Sequence, residues 1–140
     1  MKVSISRQNN AVHFEGVNAS GNTIQIDGSP AIGGEDKGVR PMELLLFGAA
    51  SCSCIDIVSI LKKMRQDLKD LKVEVDGKRI AEGHPKVFTD IHLHYKLWGD
   101  LNPEKVEQAL TLSLEKYCSV SAMLEKTAKI TFEYTINPKE

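Results

Sequence analysis

One stretch constrains the fold more than any other: residues 40–66, RPMELLLFGAASCSCIDIVSILKKMRQ, have the pattern of a long apolar helix. Pro41 suits the first turn, because its missing N–H is not needed there. Glu43 follows where a carboxylate meets the positive end of the helix dipole, and Lys62 lies near the other end, where cations are favoured. Residues 44–61 are apolar on almost every side, which predicts a buried helix.

A helix of this kind lies either in a membrane or in a protein core. The apolar run is close to the shortest that spans a bilayer. It also carries Asp56 near its middle, and an aspartate there is costly in lipid. We therefore expect a soluble protein that surrounds the helix. Because 140 residues offer limited surface for this, we expect a partner chain to help cover it.

Length and charge narrow the class of protein. The length predicts a single domain, residues 1–140. The formal net charge of −1, with no basic or acidic tail, argues against nucleic acid or an anionic membrane surface as a partner. The first 16 residues contain no apolar segment typical of a signal peptide, so we expect a cytoplasmic protein with reduced cysteines. Three cysteines without a CxxC pair argue against a disulfide framework and a tetrahedral zinc site.

The remaining chain alternates between strand and helix patterns. Three short alternating segments before residue 28 predict an antiparallel meander, and the glycine-rich residues 29–39 predict an exposed, mobile loop. Two strands should follow the long helix, then a helix starting at Asn102-Pro103, a short helical segment near 122–126 and a last strand over 130–136. In the order βββ-α-ββ-α-α-β, strands and helices are grouped separately rather than alternating in βαβ units, which predicts an α+β fold with an antiparallel sheet.

The three cysteines are the main candidates for chemistry. Cys52 and Cys54 point about 200° apart on a helix, so the natural long-range partner of either is Cys118. Free cysteines often serve as small buried apolar residues, whereas a redox role requires a thiolate. Cys118 directly precedes a helical segment, and the helix dipole therefore favours it as the more acidic thiol. Cys52 lies deep in its helix and would need a nearby cation or hydrogen-bond donors.

Two patterns raise the question of a metal. His92 and His94 share one strand face, but no third ligand is evident, and an exposed sheet face explains them. Cys52-Ser53-Cys54 has the form of a CxC motif, yet on a helix its sulfurs diverge. We therefore expect no metal site.

The segments PMELLLFGAASCSCIDIVSIL and EKYCSVSAMLEK resemble the OsmC/Ohr family of small bacterial stress-response proteins, nearest to its OsmC-like branch with PMELLL and CSxID motifs. With the order of elements, the resemblance covers most of the chain. It implies antiparallel sheets around a long buried central helix. It also implies an intertwined homodimer in which the long helices of both chains cross in the core, with two equivalent sites at the interface.

The resemblance further implies thiol-dependent reduction of organic hydroperoxides as an antioxidant, oxidative-stress function. Cys52 matches the peroxidatic position and Cys118 the resolving position, with an external dithiol as reductant and no cofactor. Cys54 matches no family position and is assigned to packing. These roles reverse the ranking that the helix dipole gives for Cys52 and Cys118.

The family's activating pair matches less directly. Well-studied members place a glutamate directly after the proline, where it orients an arginine onto the thiol. Here Met42 follows Pro41, and Glu43 comes one place later, about 180° around the helix from Cys52. Arg7 and Arg40 are the candidates for the arginine.

Two alternatives remain open. The first is a non-catalytic protein of the same fold that binds a small apolar ligand at the dimer interface. The second is a metal carrier that uses Cys52, Cys54 and the histidines.

Overall fold

The computed structural model describes all 140 residues. Its elements are β1 Val3–Arg7, β2 Phe14–Asn18, β3 Thr23–Ile26, a 3₁₀ turn Pro30–Ile32, α1 Pro41–Lys63, β4 Asp67–Arg79, β5 Phe88–Asp100, α2 Pro103–Leu112, a π-helical turn Ser113–Tyr117, α3 Ser119–Leu124 and β6 Lys129–Ile136. This confirms the predicted order and the α+β class. The chain divides into two compact units, residues 1–45 and 46–140. That the whole chain forms a single domain stays a prediction.

The first unit contains the predicted meander, in which β1, β2 and β3 pair antiparallel. The loop that follows is largely exposed, as expected, but it has a buried anchor. The carboxylate of Asp27, 1% exposed, accepts the backbone N–H groups of Gly28, Glu35 and Lys37 at 2.7, 3.0 and 3.1 Å. Burial alone would raise the pKa of Asp27, but these three donors outweigh it and the pKa is lowered. The glycine-rich pattern did not predict this anchor.

The ends of α1 follow from local chemistry. At the start, the Glu43 carboxylate accepts the backbone N–H of Arg40 at 2.8 Å, which satisfies a donor the helix leaves free. At the end, Gln66 N–H bonds to Leu61 O and Arg65 N–H to Lys62 O, with Arg65 in the left-handed region at φ 58°. These are the two bonds of a Schellman motif, here with arginine in place of the usual glycine.

Within a single chain α1 is covered on one side only, and cover of the rest by the expected partner chain stays a prediction. Within this chain only Ala49, Ser53, Ile57 and Leu61 are buried, one stripe at four-residue spacing. Apolar side chains elsewhere on the helix are open: Phe47 is 55% exposed, Ile55 71% and Val58 49%. By length and composition α1 could also cross a membrane. One chain therefore covers one stripe of α1 and leaves the remaining apolar surface uncovered.

The second unit contains a sheet in the order β4-β5-β6. β4 and β5 form the expected antiparallel hairpin, in which Val73 pairs with Tyr95 and Val75 with Leu93. β6, however, runs parallel to β5, so the prediction of an antiparallel sheet is wrong for this pair. The reason is that the helical segments between β5 and β6 form a crossover, which returns the chain in the same direction.

The core of the second unit lies on one face of β5. Ile91, Leu93, Tyr95 and Leu97 are fully buried, as their alternation predicted. Each of the aliphatic side chains contributes about 1.5–3 kcal/mol by leaving water. At the start of α2, the Asn102 side chain accepts N–H groups of residues 104 and 105, which confirms the predicted cap.

Candidate functional site

The π-helical turn at the end of α2 determines where Cys118 lies. Cys118 leaves the turn with extended backbone at φ −72°, ψ 101°, while its N–H still bonds to Ser113 O at 2.6 Å. It then caps α3. A π turn inserts an extra residue into a helix and often occurs at functional sites. In the sequence, this feature showed only as a break in the helical pattern at residues 118–121.

The fold brings Cys118 to Cys52. α3 packs against α1 at Gly48, where an added β-carbon would lie 3.4 Å from a Val120 methyl group. The sulfurs of Cys52 and Cys118 and a carboxylate oxygen of Asp56 all lie within 4.8 Å of one another. All three cysteines are free thiols. The long-range partnership expected for Cys118 is thus made with Cys52, and we call these three residues the Cys52–Asp56–Cys118 cluster.

Cys118 is the more protected of the two thiols, at 2% exposure, whereas Cys52 is half-buried. Its sulfur accepts hydrogen bonds from the backbone N–H and the hydroxyl of Ser121, at 3.4 and 3.1 Å. Burial raises the pKa of Cys118 more than these bonds lower it, and the neighbouring Cys52 thiol raises it further. This direction is opposite to the helix-dipole prediction, because that argument ignored desolvation.

Sequence reasoning missed Asp56 as a site residue. It lies four residues after Cys52, so both side chains project from the same face of α1. The Ser113 hydroxyl fixes it from the π turn, donating to Asp56 Oδ2 at 3.1 Å and lying 3.3 Å from Ser53 O. The i, i+4 spacing from Cys52 was the available signal.

A buried hydrogen bond between Tyr95 and Ser53 holds α1 on the sheet next to Cys52. The hydroxyl of Tyr95 on β5 donates to Ser53 Oγ at 2.7 Å, and Ser53 Oγ donates to Ala50 O at 3.0 Å. Tyr95 and Ser53 are both fully buried. Burial raises the pKa of Tyr95, which therefore remains a neutral donor. The contact ties α1 to the sheet at the residue next to Cys52.

The residues proposed for a metal carrier do not come together. Cys54 faces a groove with Ile55, Val58, Leu68 and Leu71 rather than the cluster, and burial raises its pKa to about 11. His92 and His94 instead hydrogen-bond Thr131 and Thr135 on β6. The chain therefore does not bring Cys52, Cys54 and the histidines together, as the metal-carrier alternative requires.

The candidates for the activating pair have local partners in the first unit. Arg40 forms an ion pair with Asp36 at 3.1 Å. Arg7 donates to the backbone oxygens of Asn10 and Ala11 at 2.6 and 2.8 Å. Glu43 accepts the Arg40 N–H described above. Activation of a thiol by any of these three residues stays a prediction.

A cavity of 340 Å³ adjoins the cluster at Asp56. Ile60, Met64, Leu112 and Tyr117 supply most of its lining, and Ser59 and Lys63 lie there too. A cavity that combines apolar side chains with a few polar groups is typical of small-molecule sites. The cavity gives a small molecule access to the side of the cluster at Asp56.

Comparisons with known proteins agree with this architecture. Residues 34–133 match the family model described as OsmC-like protein. The chain is 46% identical over 124 residues to Protein YhfA of Escherichia coli K12, covering 88% of this chain and 89% of that protein. It is 38% identical to a hypothetical protein from Aquifex aeolicus, with a TM-score of 0.80 and coverage of 98% and 97%.

More distant structures share the fold. An organic hydroperoxide resistance protein from Legionella pneumophila superposes with a TM-score of 0.71 at 18% identity, covering 96% of this chain and 97% of that one.

Proposed function

The chain belongs to the OsmC-like protein family, and we propose that it reduces organic hydroperoxides with Cys52 and Cys118 as an oxidative-stress defence. The observation that carries this proposal is the approach of the two sulfurs to within 4.8 Å in a chain where both are free thiols. Structures of the same fold include organic hydroperoxide resistance proteins from Legionella pneumophila and Bacillus subtilis, which supports the choice of substrate.

The proposed cycle needs only sulfur chemistry. The Cys52 thiolate attacks the distal oxygen of ROOH, the O–O bond breaks, and the alkoxide takes a proton and leaves as ROH. Cys52 is then a sulfenic acid. The Cys118 thiol attacks its sulfur, forming the disulfide and releasing water. An external dithiol restores both thiols by exchange. The balance is two thiols plus ROOH giving one disulfide, ROH and water.

Exposure supports this assignment of roles. Cys52 is half-buried, so an oxidant can reach it, whereas Cys118 is 2% exposed and can meet only what already lies in the cluster. The apolar side chains in the cavity beside Asp56 suit an organic hydroperoxide better than hydrogen peroxide, because burying an alkyl chain contributes about 0.8 kcal/mol per methylene group.

We include a homodimer in the proposal. The exposed apolar side chains of α1, with Phe47, Ile55 and Val58 each about half exposed or more, form a surface that a monomer rarely leaves in water. Crossing of this helix with its copy in a second chain would cover the surface. It would also account for a helix with no polar face in a soluble, cytoplasmic protein.

The experiment is titration of the reduced protein with cumene hydroperoxide or hydrogen peroxide, counting free thiols. We expect loss of two thiols per chain with the organic oxidant at a lower dose. Cys52→Ser should abolish turnover with a dithiol, and Cys118→Ser should stop at a trapped sulfenic acid. Cys54→Ser is the matched control and should turn over normally. Full turnover by Cys52→Ser would refute the proposal.

The second candidate is a non-catalytic protein of this fold that binds a small apolar ligand at the dimer interface. The shift of the family glutamate to Glu43 favours it, because the carboxylate bonds to Arg40 N–H at the helix start. Saturable binding of a fatty or aromatic compound, with no consumption of hydroperoxide, would support this candidate over the peroxidase.

A further inference from the structure

The Cys52–Asp56–Cys118 cluster has the composition of a metal site as well as of a redox pair. We propose that the reduced protein binds one zinc ion through Cys52 Sγ, Cys118 Sγ and an Asp56 carboxylate oxygen, with the fourth position open to water, and that oxidation of the thiols releases the ion. The sequence argued against zinc at the cysteines because they form no CxxC pair and because the sulfurs of Cys52 and Cys54 diverge on a helix. The tertiary fold supplies a third ligand by placing Asp56 beside Cys52 and Cys118.

The spacing of the three ligand atoms fits a tetrahedral ion. Zinc lies about 2.3 Å from sulfur and about 2.0–2.2 Å from a carboxylate oxygen, so two sulfurs on one zinc ion are about 3.8 Å apart. The three atoms of the cluster lie within 4.8 Å of one another, so small rotamer adjustments suffice. Three protein ligands and one open position are also typical of zinc sites that exchange with solvent.

Two of the proposed ligands, Asp56 and Cys118, already accept hydrogen bonds that would orient them on a metal ion. Metal-bound carboxylates are usually held by a hydrogen bond, and Asp56 accepts one from the Ser113 hydroxyl at 3.1 Å. The Cys118 sulfur accepts hydrogen bonds from the N–H and hydroxyl of Ser121, which stabilise a thiolate. Asp56 also lines the 340 Å³ cavity, so an ion can approach the carboxylate side of the cluster from there.

Binding and oxidation would exclude each other. Coordination releases two thiol protons and leaves two thiolates on the ion. When ROOH oxidises these thiolates, the disulfide forms with ROH and water, two protons are consumed, and Zn²⁺ is released. A disulfide has no thiolate to offer. The bound ion would therefore protect the pair from oxidation and be released by an oxidant that overcomes that protection.

The test is anaerobic titration of the reduced protein with Co²⁺, whose thiolate charge-transfer absorption reports sulfur ligands, followed by displacement with Zn²⁺. We expect one ion per chain, and loss of binding when the disulfide is first formed with diamide, which takes up the two electrons and two protons of the thiols. Asp56→Asn should weaken zinc binding at least tenfold, and Cys52→Ser or Cys118→Ser should abolish the charge-transfer band. If Asp56→Asn does not fold, the variants Cys52→Ser and Cys118→Ser still test the site, because each removes a different ligand.

Matched controls separate this site from others. Asp76→Asn removes an exposed carboxylate on β4, Cys54→Ser removes the thiol outside the cluster, and the double variant His92→Gln/His94→Gln removes the two half-buried imidazoles of β5. All three should bind zinc as the unmodified chain does. No charge-transfer band with the reduced protein, or loss of binding in the histidine variant, would overturn the inference. Because no peroxide is used, the result does not depend on whether the protein is a peroxidase.

Discussion

The buried contact between Tyr95 and Ser53 allows a quantitative test of how α1 is held on the sheet. Both side chains are fully buried, and the Tyr95 hydroxyl donates to Ser53 Oγ at 2.7 Å. A buried hydroxyl that loses its partner costs more than the bond contributes, whereas removing both partners together costs little. We therefore expect the double variant to destabilise the protein by less than the sum of the two single variants.

The expected magnitudes follow from the geometry. Ser53→Ala leaves the Tyr95 hydroxyl without an acceptor, which costs about 2 kcal/mol of unfolding free energy. Tyr95→Phe costs about 1 kcal/mol, because Ser53 Oγ still donates to Ala50 O at 3.0 Å. The double variant should cost about 1 kcal/mol rather than their sum of about 3, a coupling of about 2 kcal/mol.

The measurement is urea unfolding followed by the fluorescence of the single tryptophan, Trp98, with the denaturant dependence checked to be the same in all variants. Ser51→Ala is the control for the change in helix propensity. Ser51 is exposed, and its hydroxyl bonds to Phe47 O within the same helix. Additive effects of the two single variants to within about 0.5 kcal/mol would refute the reasoning.

Three further predictions concern other parts of the chain. Asp27→Ala should destabilise the first unit, because three backbone donors lose their acceptor. The pKa of Asp27 is lowered in the folded protein, so the stabilisation from its carboxylate is present above about pH 4 and is lost on acidification. The difference in unfolding free energy between the variant and the parent protein should therefore shrink towards pH 2. In the variant Cys52→Ser/Cys118→Ser only Cys54 remains, and burial raises its pKa to about 11. Cys54 should therefore react with iodoacetamide at pH 8 about a hundredfold more slowly than an exposed cysteine, with a rate that rises steadily to pH 11. A plateau of the rate near pH 9 would contradict this. In the homodimer proposed above, Val58→Lys, at a position 49% exposed in the single chain, should preserve the circular dichroism spectrum but reduce the mass measured by light scattering from two chains to one. A single-chain mass for the unmodified protein, or an unchanged two-chain mass for the variant, would contradict the proposed role of α1 in the interface.

The amino-acid sequence contained the elements and much of the site. Alternation along β5 placed Leu93 and Tyr95 in the core, and Asn102 with Pro103 determined the start of α2, because periodicity and capping act between residues close in the chain. The same local information showed that Cys52 and Cys54 face opposite ways. It also identified the family, through motifs that surround Cys52 and Cys118.

Only the tertiary structure determined which residues that are distant in the sequence contact one another. The parallel pairing of β6 depends on a crossover, and the raised pKa of Cys118 depends on desolvation by residues distant in sequence, neither of which a local pattern encodes. Asp56 became part of the site because Ser113, 57 residues later, fixes its carboxylate beside two sulfurs. Local periodicity determines which face a side chain occupies, but only packing determines which other side chains share that space.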